Sequence, residues 1–196
     1  MLLRDLASAC LGLSLVAPLA ACSSGGGGGG GGAPALSTSA AVSGPADTHC
    51  KGKPAQKTSQ SVCHMTGQGG APGVDYGPPM FGSEGDDDDC KYHVTWRSSD
   101  VAVNRDITFQ VTATTKTDGK PATGADVVPE LFLNDIHPAP NTAWKTTEDP
   151  PGTYTIAPVQ VDEKGKWTMR FHFYEDCTDF SEESPHGHAA FYVEVP

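Results

Sequence analysis

The sequence predicts an all-β fold: a single immunoglobulin-like β-sandwich of about seven strands, over residues 90–196. Three observations carry that expectation. Apolar residues recur with period two, most clearly where Trp167, Met169, Phe171 and Phe173 alternate with Thr168, Arg170, His172 and Tyr174. Turn-forming clusters such as Thr117-Asp118-Gly119-Lys120-Pro121, Pro150-Pro151-Gly152 and Glu163-Lys164-Gly165 separate the runs. No stretch beyond residue 21 has the 3.6-residue period of an amphipathic helix.

The first 21 residues read differently from the rest. Arg4 supplies a small positive start, and Leu6 to Ala21 is apolar or small. The run is short for a membrane span and reads as an export signal. It ends Leu19-Ala20-Ala21-Cys22, which resembles the bacterial lipobox at all four positions. The resemblance implies cleavage before Cys22, lipidation of Cys22 and a membrane anchor. Each buried acyl methylene adds about 0.8 kcal/mol to such anchoring. Ser23 after the lipidated cysteine implies sorting to the outer membrane of a Gram-negative cell, and hence a periplasmic or surface location.

Residues 22–49 hold eight consecutive glycines among Ala, Ser and Pro. So little apolar surface cannot offset the entropy of ordering, so a disordered, flexible tether is expected. The glycines are no phosphate loop, since no Lys-Ser/Thr pair follows them. With 24 acidic against 13 basic side chains the net charge is -11, which repels nucleic acid and leaves room for cationic partners, metal ions included.

Four cysteines remain after Cys10 and Cys22: Cys50, Cys63, Cys90 and Cys177. An even count in an exported chain points to disulfides. Of the three connectivities, Cys50–Cys63 and Cys90–Cys177 are preferred. Extending the alternation puts Cys90 on the face of Tyr92, Val94 and Trp96, and Cys177 on that of Phe171 and Phe173. A zinc site is the rival, without any Cys-x-x-Cys spacing to support it.

Residues 50–89 read as a cysteine-stapled, Gly/Pro-rich, mostly irregular segment. Cys63-His64-Met65 is a soft-ligand cluster or simply the surroundings of a disulfide. Asp86 to Asp89 lacks the alternate spacing of a calcium loop. It reads as a solvated charge block shielding the edge of the strand that begins at Lys91.

The expected strands follow in order. Tyr92, Val94 and Trp96 mark one; Ile107, Phe109, Val111 and Ala113 a second; Asp126 to Asn134 a third, with Pro129 implying an edge or bulge. Trp144–Thr147, Thr153–Val159, the run from Lys166, and His188–Val195 complete the set.

Gly119-Lys-Pro-Ala-Thr-Gly-Ala-Asp-Val127, Gly152-Thr-Tyr154 and Gly165-Lys-Trp167 together resemble the YtkA-like (FixH-related) family of exported sandwich domains, over about residues 92–195. That resemblance implies copper handling or respiratory-oxidase assembly. Family members often carry a Met/His-rich loop after the strand equivalent to Glu130–Leu133. Here the loop is Asn134 to Pro140, with His137 and no Met.

His186 and His188 share a face in extended chain. With His137 from a neighbouring loop they would suit Cu(II) or Zn(II), with His172 as a further candidate and Asp135 or Asp176 as oxygen donors. The alternative is an ordinary turn at Pro185–His188. No Gly-x-Ser-x-Gly or His-Glu-x-x-His motif is present, so a non-enzyme is expected. Two functions stay open: a membrane-anchored envelope lipoprotein that binds or hands over a transition metal, copper first, to an envelope partner; or a structural or adhesive module that binds protein or carbohydrate without metal.

Overall fold

A computed structural model describes residues 33–52, 79–134, 136–140, 142–174 and 187–196. Cys22, Cys63, His64, Met65, Asp135, Asp176, Cys177 and His186, all named above, lie outside them.

The described residues contain strands and no helix, as the period-two pattern demands. The strands are β1 (Glu84–Asp86), β2 (Tyr92–Ser98), β3 (Ile107–Thr115), β4 (Asp126–Leu133), β5 (His137–Pro138), β6 (Lys145–Glu148), β7 (Thr153–Val159), β8 (Gly165–Tyr174) and β9 (His188–Val195). They form two antiparallel sheets, ordered β1-β2-β3-β7-β6 and β5-β4-β8-β9.

The core lies where the alternation placed it. Trp167, Met169, Phe171 and Phe173 are fully buried, and so are Val94, Phe109, Val111, Ile156 and Phe191. Aromatic edges interlock across the sheets: the Phe109 and Phe171 rings are 6.1 Å apart, and those of Trp96 and Phe191 6.1 Å.

The Gly-Thr-Tyr and Gly-Lys-Trp motifs have physical reasons. Gly152 has φ 74°, and a Cβ there would lie 2.7 Å from the Pro121 side chain, so only glycine fits. Two residues on, Tyr154 is buried and donates its hydroxyl to the Ala122 carbonyl at 2.6 Å. Trp167 donates its indole N–H to the Glu163 carbonyl at 3.0 Å, closing the turn before β8.

Pro129 sits as expected at an open edge. Its neighbour at the same parity, Val127, turns its carbonyl away from β8 to accept from the Thr146 hydroxyl. The missing Pro129 N–H therefore faces outward too, beyond the reach of the two-residue β5.

Three expectations need correction. Residues 33–49 are not all tether: the compact unit begins at Ala33. Ser37 bridges Ser98, Ala41 bridges Val193, and Ala40 joins the core. Met80 bridges Phe191, and β1 then continues along β2. Two segments thus cap the open edge shared by β2 and β9, through Glu194 N–H to Ala40 O at 2.8 Å and Tyr192 N–H to Met80 O at 2.9 Å. Backbone hydrogen bonding to an unsatisfied strand edge orders both, and in the second the buried Met80 and the Phe81 ring, 4.9 Å from that of Tyr192, add apolar packing.

The second correction concerns sulfur. Cys50 is bonded to Cys90, which replaces both expected pairs, Cys50–Cys63 and Cys90–Cys177. The parity argument failed because Cys90 is not on the strand. It has φ 59°, in the turn before β2, and alternation does not extend through a left-handed residue.

The third is the outer face of β8: the alternation of Thr168, Arg170, His172 and Tyr174 with the core residues implies that this polar face is exposed to solvent. Thr168, His172 and Tyr174 are all buried, as are Val128 and Ala190 beside them on β4 and β9.

Candidate functional site

The polar chemistry concentrates where the turn before β2 meets the start of β9. Asp86 to Asp89, expected to be solvated, make this turn. Asp87 is fully buried: its N–H donates to the Tyr92 carbonyl at 3.1 Å, and its Oδ1 accepts from the Tyr92 N–H at 2.8 Å. Its Oδ2 has no hydrogen-bond partner among the described residues and faces Gly187, where a Cβ would lie 2.6 Å away. Burial pushes this carboxyl up to about 7; the Tyr92 N–H pulls against that, and Asp88 and Asp89 add to it.

The neighbours are also engaged. Asp88 accepts the His188 N–H at 2.8 Å and lies 3.2 Å from His188 Nδ1. Asp86 pairs with Lys116 and, at 3.0 Å, with His93. Burial would raise its carboxyl, but its hydrogen bonds to Lys116 and His93 outweigh it and hold it below the usual range. Asp89 is raised, by burial and then by Asp88, with Lys91 at 3.6 Å opposing. A run of four carboxylates is thus folded into a turn, each with a different neighbour.

His49 and Cys50 reach this turn from the N-terminal segment. His49 Nε2 donates to the Asp87 carbonyl at 2.9 Å, and its Nδ1 pairs with the Asp47 carboxylate. The Cys90 N–H donates to the same Asp87 carbonyl at 3.0 Å. A ring nitrogen of His49 and the sulfurs of Cys50 and Cys90 therefore lie within 4.8 Å of one another. Among the described residues this is the one group of three potential metal ligands that converges. As a disulfide the two sulfurs are poor donors. Two-electron reduction turns them into thiolates beside an imidazole, a set that suits soft ions such as Cu(I), or Zn(II).

A cavity of about 720 Å³ opens beside the disulfide. Its wall includes Cys50, Asp47, Phe81, Asp86, His93 and Lys116.

Of the histidines expected to share an ion, His137 and His188 do not meet. His137 pairs with Leu133 in β5–β4, beside Trp167, while His188 pairs with His172 across β9–β8. Trp167 and His172 are five residues apart on β8, about 17 Å at roughly 3.3 Å per residue. One ion with bonds of about 2 Å cannot span that. His137 instead bonds Asp162 at 2.9 Å and sets its ring 5.8 Å from that of Trp167. The Asp162 hydrogen bond raises its basicity over a small opposing burial effect.

At the other end His172 and His188 do come together, fully buried, ring centroids 5.6 Å apart. Each has a carboxylate: His172 Nε2 lies 3.1 Å from Glu130, which also pairs with Arg170 at 3.3 Å, and His188 has Asp88. Burial would raise the Glu130 carboxyl; His172 and Arg170 outweigh it and hold it below its ordinary value.

Sequence reasoning placed His49 in the tether and so missed it. The available signal was its position directly before Cys50. Comparison with protein-family models gives no match, and comparison with curated proteins gives none either.

Proposed function

We propose that the protein is a lipid-anchored envelope protein, held at the outer membrane through Cys22, whose β-sandwich binds a soft transition metal ion, Cu(I) first, and hands it to a partner. The observation that supports this is the convergence of His49, Cys50 and Cys90. The surrounding carboxylates of Asp47, Asp86 and Asp88 add a field that draws cations. The resemblance to YtkA-like domains points to the same metal, but the ligands differ from the His137, His186 and His188 set first expected. The reading is of a carrier, not an enzyme.

The test uses detergent-solubilised full-length protein, reduced without oxygen, with Cu(I) supplied in competition with a chromogenic chelator. One equivalent is expected to bind, and binding is lost in His49→Ala and in Cys50→Ser with Cys90→Ser. Stoichiometric binding that survives these substitutions, or no binding by the reduced chain, refutes the reading.

The disulfide itself favours a second reading: a structural or adhesive envelope module in which Cys50–Cys90 only staples the N-terminal segment to the sandwich. It predicts no metal uptake under reduction and loss of stability instead.

A further inference from the structure

We propose that the Cys50–Cys90 bond is a thiol-exchange site, opened by a dithiol reductant that enters the neighbouring cavity and attacks Cys50 Sγ. The inference deepens the metal reading, for which it supplies the reduced sulfurs, but the exchange chemistry stands on its own observations.

Cys50 forms part of the cavity wall and Cys90 does not; both are buried, so the cavity approaches the bond from the Cys50 side. At about 720 Å³ the cavity lies within the usual range for small-ligand sites. A ring nitrogen of His49 stands within 4.8 Å of both sulfurs, and by giving up its bond to the Asp87 carbonyl or to Asp47 it can hydrogen-bond a departing thiolate. The leaving side, Cys90, is held at φ 59°, a conformation that non-glycine residues adopt rarely. Cleavage frees that turn to relax.

The exchange balances as follows. The reductant's thiolate bonds to Cys50 Sγ as the Cys50–Cys90 bond breaks, and the electron pair leaves on Cys90 Sγ beside His49. The reductant's second thiol then attacks its own sulfur in the mixed disulfide. This closes the reductant's disulfide and releases Cys50 as thiolate. Two electrons and two protons pass from the dithiol to Cys50 and Cys90, and a metal ion entering the site displaces the protons.

The experiment treats the full-length oxidised chain with limiting glutathione, quenches with acid and maps adducts by peptide mass spectrometry. The adduct is expected on Cys50 in about tenfold or greater excess over Cys90, before any change in tryptophan fluorescence. In His49→Ala adduct formation slows several-fold. With the dithiol dithiothreitol the adduct does not persist, and Cys50 and Cys90 become alkylated together. Cys90→Ser, which leaves the Cys50 thiol in place, gives a stable adduct with oxidised glutathione, whose disulfide exchanges onto Cys50 and releases one glutathione thiol; where that variant does not fold, the adduct map of the native chain decides. Attack on Cys90 as fast as on Cys50, or opening only in step with unfolding, overturns the proposal. Selective exchange without Cu(I) uptake by the reduced chain removes the metal reading alone. Uptake without selective attack at Cys50 removes the exchange site alone.

Discussion

The two ends of β8 face opposite demands. Around Trp167 the strand is packed with apolar side chains, and the nearby pair of His137 with Asp162 is half-exposed. Around His172 the outer face buries Glu130 and two imidazoles beside a partly buried Arg170, and the neighbouring turn buries Asp87. Burial of apolar surface stabilises a fold by roughly 25 cal/mol per Å², whereas burial of charge costs stability unless each group is partnered. One end therefore supplies stability, and the other spends some of it to hold polar chemistry away from water.

The contrast breaks first at the apolar end. Trp167→Ala should cost about 3–5 kcal/mol in chemical denaturation, since a fully buried indole leaves a cavity and an orphaned Glu163 carbonyl. A loss below 1 kcal/mol would show that this end is not the stabilising one. Next comes the staple. Replacing Cys50 and Cys90 together by Ser should cost about 4 kcal/mol, the chain-entropy value for a loop of 40 residues.

The polar end should respond with the opposite sign. Asp87 has its folded pKa raised from 3.8 to about 7. Its contribution to stability is full below about pH 3.8 and is lost as pH rises through about 7. Asp87→Asn keeps the acceptor for the Tyr92 N–H and removes the buried charge. At pH 8 it should stabilise the protein by roughly 2–4 kcal/mol, and at pH 4 hardly at all. Equal effects at both values would mean that the carboxyl is not held up by burial. Glu130 runs the other way: its folded pKa is lowered, so its contribution is present above the ordinary carboxylate range and fades as acid protonates it. Glu130→Gln should therefore shrink the acid sensitivity of unfolding. The smallest effect is expected for His137→Ala, whose exposed pair with Asp162 should leave the denaturation midpoint unchanged.

Much of the apolar end was legible in the sequence. Four large side chains at alternate positions fix both the strand and the face it buries, and the motifs ending at Tyr154 and Trp167 mark turns with backbone reasons. The polar end was less so, because its geometry comes from long-range pairing. Nothing local in Thr48-His49-Cys50 says that this segment crosses to the turn at Asp87, and four adjacent aspartates look solvated until the turn that buries them is known. His172 and His188 were both named, but their meeting depends on the β8–β9 register, which places them directly opposite. His137 was assigned to the wrong neighbour because a sandwich has two ends, and residue order does not say which loops gather at which.

The lacing of residues 37–42 across β2 and β9 has a mechanical consequence. Tension applied from the N-terminal side would load those hydrogen bonds lengthwise, and several would have to rupture together. If they yielded, the strain would next reach the covalent knot at Cys50, leaving the strands behind it undisturbed. A reductant would remove that second line of resistance, so the force that the molecule withstands should vary with the oxidation state of its surroundings.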